Sequence, residues 1–280
     1  MTPTEAARPY SPHMIHGNAP SAFNQISTAG MTVIIRSKLK TVVSWLCRNT
    51  FEYQLLAQPR WSEWLGTRSL DSLDVRKFAQ ILAAQEAAEF YSEHLYNLPF
   101  FDSPWNHLQE MARHAAGLGS GAFLEFGVAT GTTIRLIAKV AGRNVVGFDW
   151  FKGLPEDWRE GIKAGAFFER IPNVPENVSL EIGLIEETLP TWLAHANPAE
   201  INFIHIDTDL YKPAAIILAE CAPYIRNSII VFDEFYNYPG WRHHEYKAFC
   251  EFKSRHPEFK VQFTGAGGKT AVSVHLTRTV

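Results

Sequence analysis

Apolar positions change rhythm along this 280-residue chain. Between about residues 31 and 118 they recur at helical spacing. Asp71-Ser-Leu-Asp74 offers a helix cap, and Val75, Phe78 and Leu82 then fall on one helix face. Ser103-Pro104 sets a capping residue before a proline at the first helical position. It predicts a second helix to about Ala116, stopped by Gly117-Leu-Gly119. The first 30 residues carry Pro3, Pro9, Pro12, Gly17, Pro20 and Gly30 with few periodic apolar positions, and read as a flexible tail.

At Gly121 the pattern switches. Short apolar runs at 122–126, 144–148, 178–182, 201–206 and 228–232 predict strands. Helices are expected over 132–140 and about 212–224. Continuous apolar strands separated by helices imply parallel β-α-β units. The runs 259–263 and 270–275 flank Gly265-Ala-Gly-Gly268 and predict a closing antiparallel hairpin. The expected architecture is therefore α/β: a Rossmann-like, mostly parallel sheet with a C-terminal antiparallel hairpin, plus a helical N-terminal extension. The domain reading is a tail over 1–30, a helical cap over 31–118 and a cofactor-binding domain over 119–280.

Composition narrows the function. Hydrophobic residues make up 46% of the chain, which supports a full core. A net charge of −3 gives no basic surface, so no nucleic-acid partner is expected. Cys47, Cys221 and Cys250 are far apart with no CxxC spacing, which fits a reducing cytoplasm and excludes a zinc ribbon. No apolar run approaches the roughly 18 residues of a membrane helix, and the first residues lack a signal-peptide pattern. No membrane partner is expected. The helical extension is a candidate homo-oligomer contact.

Candidate chemistry sits where strands end. Leu124-Glu-Phe-Gly-Val-Ala-Thr-Gly-Thr-Thr133 lies on a strand-to-helix turn, where Gly127 and Gly131 let the backbone turn tightly beside a ligand. Asp149 ends the next strand, where a carboxylate binds ribose hydroxyls in nucleotide folds. A ribose is common to nicotinamide cofactors and S-adenosylmethionine (SAM). Two details favour SAM: the spacing is GxxxG rather than GxGxxG, and Glu125 suits a cationic methionine end better than a pyrophosphate. His205-Ile-Asp207-Thr-Asp209 and Val231-Phe-Asp233-Glu234 follow two further strands. Carboxylates converging there repel one another unless a cation lies between them, and oxygen-only ligands favour Mg²⁺. His205 reads as an inter-strand histidine more readily than as a ligand. Tyr236, Tyr238 and Trp241 suit acceptor stacking or the core equally. Trp150 to Pro155 reads as a loop beside the cofactor, either lid or turn. Arg159, Glu160 and Lys163 read as a solvated helix face.

These motifs, with Gly147-Phe-Asp149-Trp-Phe-Lys-Gly153-Leu-Pro155-Glu156, Gly183, Glu187-Thr-Leu-Pro190, Asp207-Thr-Asp209-Leu-Tyr211 and Phe232-Asp233-Glu234-Phe235, resemble the macrocin O-methyltransferase family over about residues 120–275. The resemblance implies a class I methyltransferase sheet and Mg²⁺-dependent transfer of a methyl group from SAM to a hydroxyl of a small molecule, a sugar or a similar acceptor. It places Gly127 with Val128, Gly131 and Thr132 at the methionine end, Asp149 on the ribose and Gly183 near adenine. Asp207, which also stands beside the cofactor, would hold the metal with Asp233 and Glu234, and Asp209 would be the general base. Where the family often has two aspartates in its last motif, this chain has Asp233-Glu234. A nicotinamide-dependent oxidoreductase would share the glycine turn and Asp149 but not the paired acidic strand ends. A non-catalytic SAM-binding protein need not keep those acids.

Overall fold

Asp74 caps the first described helix, α1 (Val75–His94), and its carboxylate accepts the Arg76 backbone N–H. The computed structural model describes residues 74–159 and 161–279; the expected tail, and the part of the helical extension before residue 74, lie outside them. The face of α1 that is buried is Ala83, Ala87 and Phe90, whereas Val75, Phe78 and Leu82 stay exposed. The helical rhythm is realised on a different stripe because Phe90 inserts into an aromatic cluster. Its ring lies 5.5–6.2 Å from those of Phe235, Tyr236, Trp241, Tyr246 and Phe263.

Strand β1 (Phe100–Phe101) precedes α2 (Pro104–Ala116), which begins with the expected Ser103 cap. Then follow β2 (Ala122–Phe126), α3 (Thr132–Ala141), β3 (Val145–Asp149), β4 (Val178–Ile182), α4 (Ile185–Ala196), β5 (Ile201–Ile206), α5 (Tyr211–Cys221) and β6 (Ile225–Phe232). Helix α6 (Glu245–Arg255) leads to the hairpin β7 (Phe259–Gly267) and β8 (Ala271–Arg278). The sheet order is β1-β7-β8-β6-β5-β2-β3-β4. The pairs β6–β5, β5–β2, β2–β3 and β3–β4 are parallel, while β8 runs antiparallel to β6 and to β7. This is the expected mostly parallel, Rossmann-like sheet with its closing antiparallel hairpin. The hairpin turn falls at Gly268–Thr270, so Gly265 and Gly267 are strand residues rather than the turn itself.

Strand alternation divides the core between two faces. Leu124, Phe126, Ile204, Ile206, Ile230 and Phe232 pack on one side with Ala214, Ile217 and Phe249 of α5 and α6. Phe123, Phe203, Ile229 and Val231 pack on the other with Leu108 and Met111 of α2 and Ile134 and Ile137 of α3. Glu125 and His205 fall in the second register, which buries two polar side chains beneath the strand ends. No helix among the described residues is long and apolar enough to cross a membrane.

Candidate active site

The carboxyl ends of the parallel strands open into a cavity of about 680 Å³. Four backbone bonds extend the ladders past the strands and align the loops that line it. Gly127 donates to Phe148, Asp207 to Phe126, Asp233 to Ile206 and Gly183 to Asp149. Gly127 has φ +91, and a Cβ there would lie 1.9 Å from the Asp207 carbonyl oxygen. The glycine is thus demanded both by conformation and by the neighbouring loop.

Asp149 clips the glycine turn to the end of β3. Its Oδ2 accepts from Val128 N–H at 2.9 Å and Ala129 N–H at 2.8 Å, and its Oδ1 from Phe151 N–H at 2.7 Å. Three of about four acceptor positions on a carboxylate are used, which leaves one for a ligand hydroxyl. Asp149, Gly127, Ala129 and Thr130 border the cavity, and Gly183, Leu184 and Ile185 with Phe148 make an apolar end. Val128 is buried, and Gly131 caps α3 at φ +77 against Pro172. Val128, Gly131 and Thr132 support the turn without lining the cavity.

Glu125 does not reach the cavity either. It is fully buried, and its Oε1 lies 2.9 Å from His205 Nδ1. The other face of the His205 ring turns toward the acids: Nε2 is 4.0 Å from Asp233 Oδ1, is buried and has no hydrogen-bond partner. Ligand atoms of His205, Asp207 and Asp233 lie within 4.8 Å of one another. Glu234 is outside that group; like Asp207 and Asp209, it borders the cavity.

The acids perturb one another as the sequence implies. Burial and the Asp233 charge push Asp207 well above the carboxylate range. The same two causes raise Asp209 to about 7 and Glu234 to about 8, partly offset by Arg159. Burial lowers the affinity of the His205 ring for a proton, but Asp233 and Glu125 outweigh it and lift the group to about 10. An orphaned buried nitrogen beside converging carboxylates is a donor set that fits a divalent cation once the ion displaces the His205 proton.

One acid gave no sequence signal. Glu245, the first residue of α6, is fully buried; Oε1 accepts from Thr208 N–H at 3.4 Å and Oε2 from Glu234 N–H at 3.2 Å. It ties together the two loops that bear the acids. Burial and those acids raise its pKa well above the usual value.

The stretch after Asp149 is a folded loop, not a helix face. Leu154 N–H donates to Ala166 and Gly165 N–H to Leu154, so residues 154–166 close on themselves. Leu154 and Trp158 are buried, while Trp150, Gly153 and Pro155 border the cavity. The guanidinium of Arg159 stacks 4.0 Å over the Trp158 ring and also borders the cavity. Lys163 pairs with Asp157, and Glu160 lies outside the described residues. Tyr236, Tyr238 and Trp241 are core residues, and His244 packs against Tyr238 and Trp158.

A sheet of this order, with a glycine turn after one strand and a carboxylate at the end of the next, is the arrangement in which open α/β folds bind a nucleotide ribose. Residues 124–235 match the family model described as "Methyltransferase domain". Among solved structures, the chain is similar to the calicheamicin methyltransferase CalS11, at 20% identity over 94% of this chain and 98% of that one, with a TM-score of 0.49. It is similar to the O-methyltransferase NovP at 18% identity over 63% and 79% of the two chains, TM-score 0.47. It is similar to an O-methyltransferase from Bacillus cereus in complex with SAH at 17% identity over 79% and 97%, TM-score 0.43. No curated protein matches the sequence.

Proposed function

We propose that the protein is a SAM-dependent O-methyltransferase acting on a hydroxyl of a small molecule, a sugar or a similar acceptor, with a divalent cation at the acidic strand ends. The observation that supports this most is the sharing of one cavity by two constellations. The Asp149-clipped glycine turn borders one part, and Asp207, Asp209 and Glu234 border another.

SAM, when bound, supplies an activated methyl group on a sulfonium. A cation held by Asp207 and Asp233, when bound, lowers the pKa of the acceptor hydroxyl. The remaining work belongs to the chain. Gly127 and Ala129 let the methionine end approach the backbone, Asp149 offers its last acceptor position to a ribose hydroxyl, and Gly183 to Ile185 enclose the adenine. Asp209 would accept the proton of the acceptor hydroxyl. Arg159 and Trp158, on a loop that borders the cavity, would meet the acceptor. Incubating the protein with methyl-labelled SAM, a divalent salt and a panel of glycosides and phenols tests the reading. Label in one acceptor hydroxyl class supports it; no transfer to any acceptor, with SAM bound, would limit the protein to cofactor binding.

A further inference from the structure

The cation-binding atoms that the fold brings together are not all oxygen. Strands β2 and β5 pair in parallel with Glu125 opposite His205, and β5 pairs with β6 so that His205 lies opposite Val231. Residues two apart on a strand share a face. Asp207 therefore continues the His205 face past the end of β5, and Asp233 continues the Val231 face past the end of β6. The three side chains converge from two adjacent strand ends, with ligand atoms within 4.8 Å. Atoms that bind one ion at about 2.0–2.2 Å stand up to about 4.4 Å apart, so small rotamer shifts bring all three onto one ion.

The His205 ring is set for that role. It is fully buried, its Nδ1 is engaged by Glu125 at 2.9 Å, and its Nε2 has no partner and is turned toward Asp233. A carboxylate on the far nitrogen is the usual device that fixes the ring orientation of a metal-binding histidine and strengthens its basicity. The same contact explains why Glu125, at a strand end beside the glycine turn, faces away from the cavity. Glu234 stands outside the cluster, so the donor set is one imidazole and two carboxylates. Two carboxylates suit Mn²⁺ as well as Mg²⁺, but an imidazole ligand disfavours Mg²⁺, which prefers oxygen and keeps its waters, relative to the first-row divalent ions.

We propose that His205, Asp207 and Asp233 form a nitrogen-and-oxygen site for a first-row divalent ion, Mn²⁺ ahead of Mg²⁺, with Glu125 holding the His205 ring. The proposal rests on the methyl-transfer reading only for the use of the ion. It is tested with the metal alone, so its failure and the failure of that reading are separable by a parallel titration with S-adenosylhomocysteine (SAH). Titration of the full chain with Mn²⁺ and with Mg²⁺ should give at least a tenfold tighter Kd for Mn²⁺. Pulsed EPR of the Mn²⁺ complex should show ¹⁴N coupling from one imidazole. Glu125→Gln should weaken Mn²⁺ binding about tenfold or more, whereas Glu234→Gln should leave it within about threefold. The EPR signature needs no variant, so an unfolded His205→Gln protein would not obscure the answer. Equal affinity for the two ions, bound Mn²⁺ without nitrogen coupling, or a tenfold loss in Glu234→Gln would overturn the assignment.

Discussion

A Cβ on Gly127 would lie 1.9 Å from the carbonyl oxygen of Asp207. The turn after β2 and the loop after β5 therefore come together at the Gly127 and Asp207 backbones, and the proposed cofactor and cation sites share a wall. Gly127→Ala has no side chain to move aside and must also hold φ +91. The expected loss is roughly 3 kcal/mol, about 6–12 °C in Tm for a domain of this size, together with SAH binding. Gly142→Ala is the control, since φ there is also positive but nothing lies within 4 Å of its Cβ. It should lose about 1 kcal/mol and retain SAH. Thermal melts and SAH titrations of the two variants check this.

The clip made by Asp149 gives a graded series. Asn keeps one acceptor oxygen and turns an amide N–H₂ toward donors that Asp149 now satisfies. SAH affinity should fall about tenfold in Asp149→Asn and at least a hundredfold in Asp149→Ala, as bonds to a charged acceptor are worth about 1.5–3 kcal/mol each. Equal affinities in wild type and both variants would show that the turn is held open by packing alone.

Asp209 occupies φ +62, a conformation that asparagine tolerates better than most residues. Asp209→Asn thus removes the proton acceptor while keeping the loop. Turnover should drop by about 10²–10⁴, with SAH affinity within about threefold of wild type. Single-turnover kinetics with a responsive acceptor measures this, and an unchanged rate would remove Asp209 from the base role.

His107 makes stability pH-dependent. The ring is buried between α2 and the hairpin; Nε2 bonds Ser273 Oγ at 2.8 Å and Nδ1 has no partner. Burial, aided by the nearby His205, lowers its pKa to about 4. The folded state resists a proton that the unfolded chain accepts near 6.5. This contribution is fully present above pH 6.5 and is lost as pH falls toward 4, by about 3 kcal/mol. The carboxylates with raised pKa values act in the opposite sense, so the informative quantity is the difference between wild type and His107→Gln. Urea unfolding from pH 7 to 4 should show wild type losing ground against the variant; parallel curves would contradict the assignment.

The strands of the parallel sheet were legible because each is an apolar run ended by glycine or acid. Residues 122–126, 178–182 and 201–206 match the observed strands at both ends. The acids at 207, 209, 233 and 234 were legible because parallel strands deliver their carboxyl ends to one edge. What eluded the sequence depended on partners distant along the chain. Gly265 and Gly267 look like turn residues, but they lie in β7, where a Cβ on Gly267 would meet the His107 Cβ at 2.4 Å. Strand β1 has two residues and exists only by pairing with that end of β7. Glu245 resembles any carboxylate in the first turn of a helix, and only the docking of α6 against two loops buries it. Arg159 looked solvated because nothing nearby in sequence announces that its loop folds back over the cavity.

The central claim is that the cavity beside Gly127 and Asp149 binds SAM. Isothermal titration of the full chain with SAH, beside NADH and beside the Asp149→Ala variant, tests it most directly. The expected result is micromolar SAH binding to wild type, a loss of at least a hundredfold in the variant, and no heat with NADH. Wild-type protein that binds NADH and not SAH, with or without a divalent ion, would contradict the account.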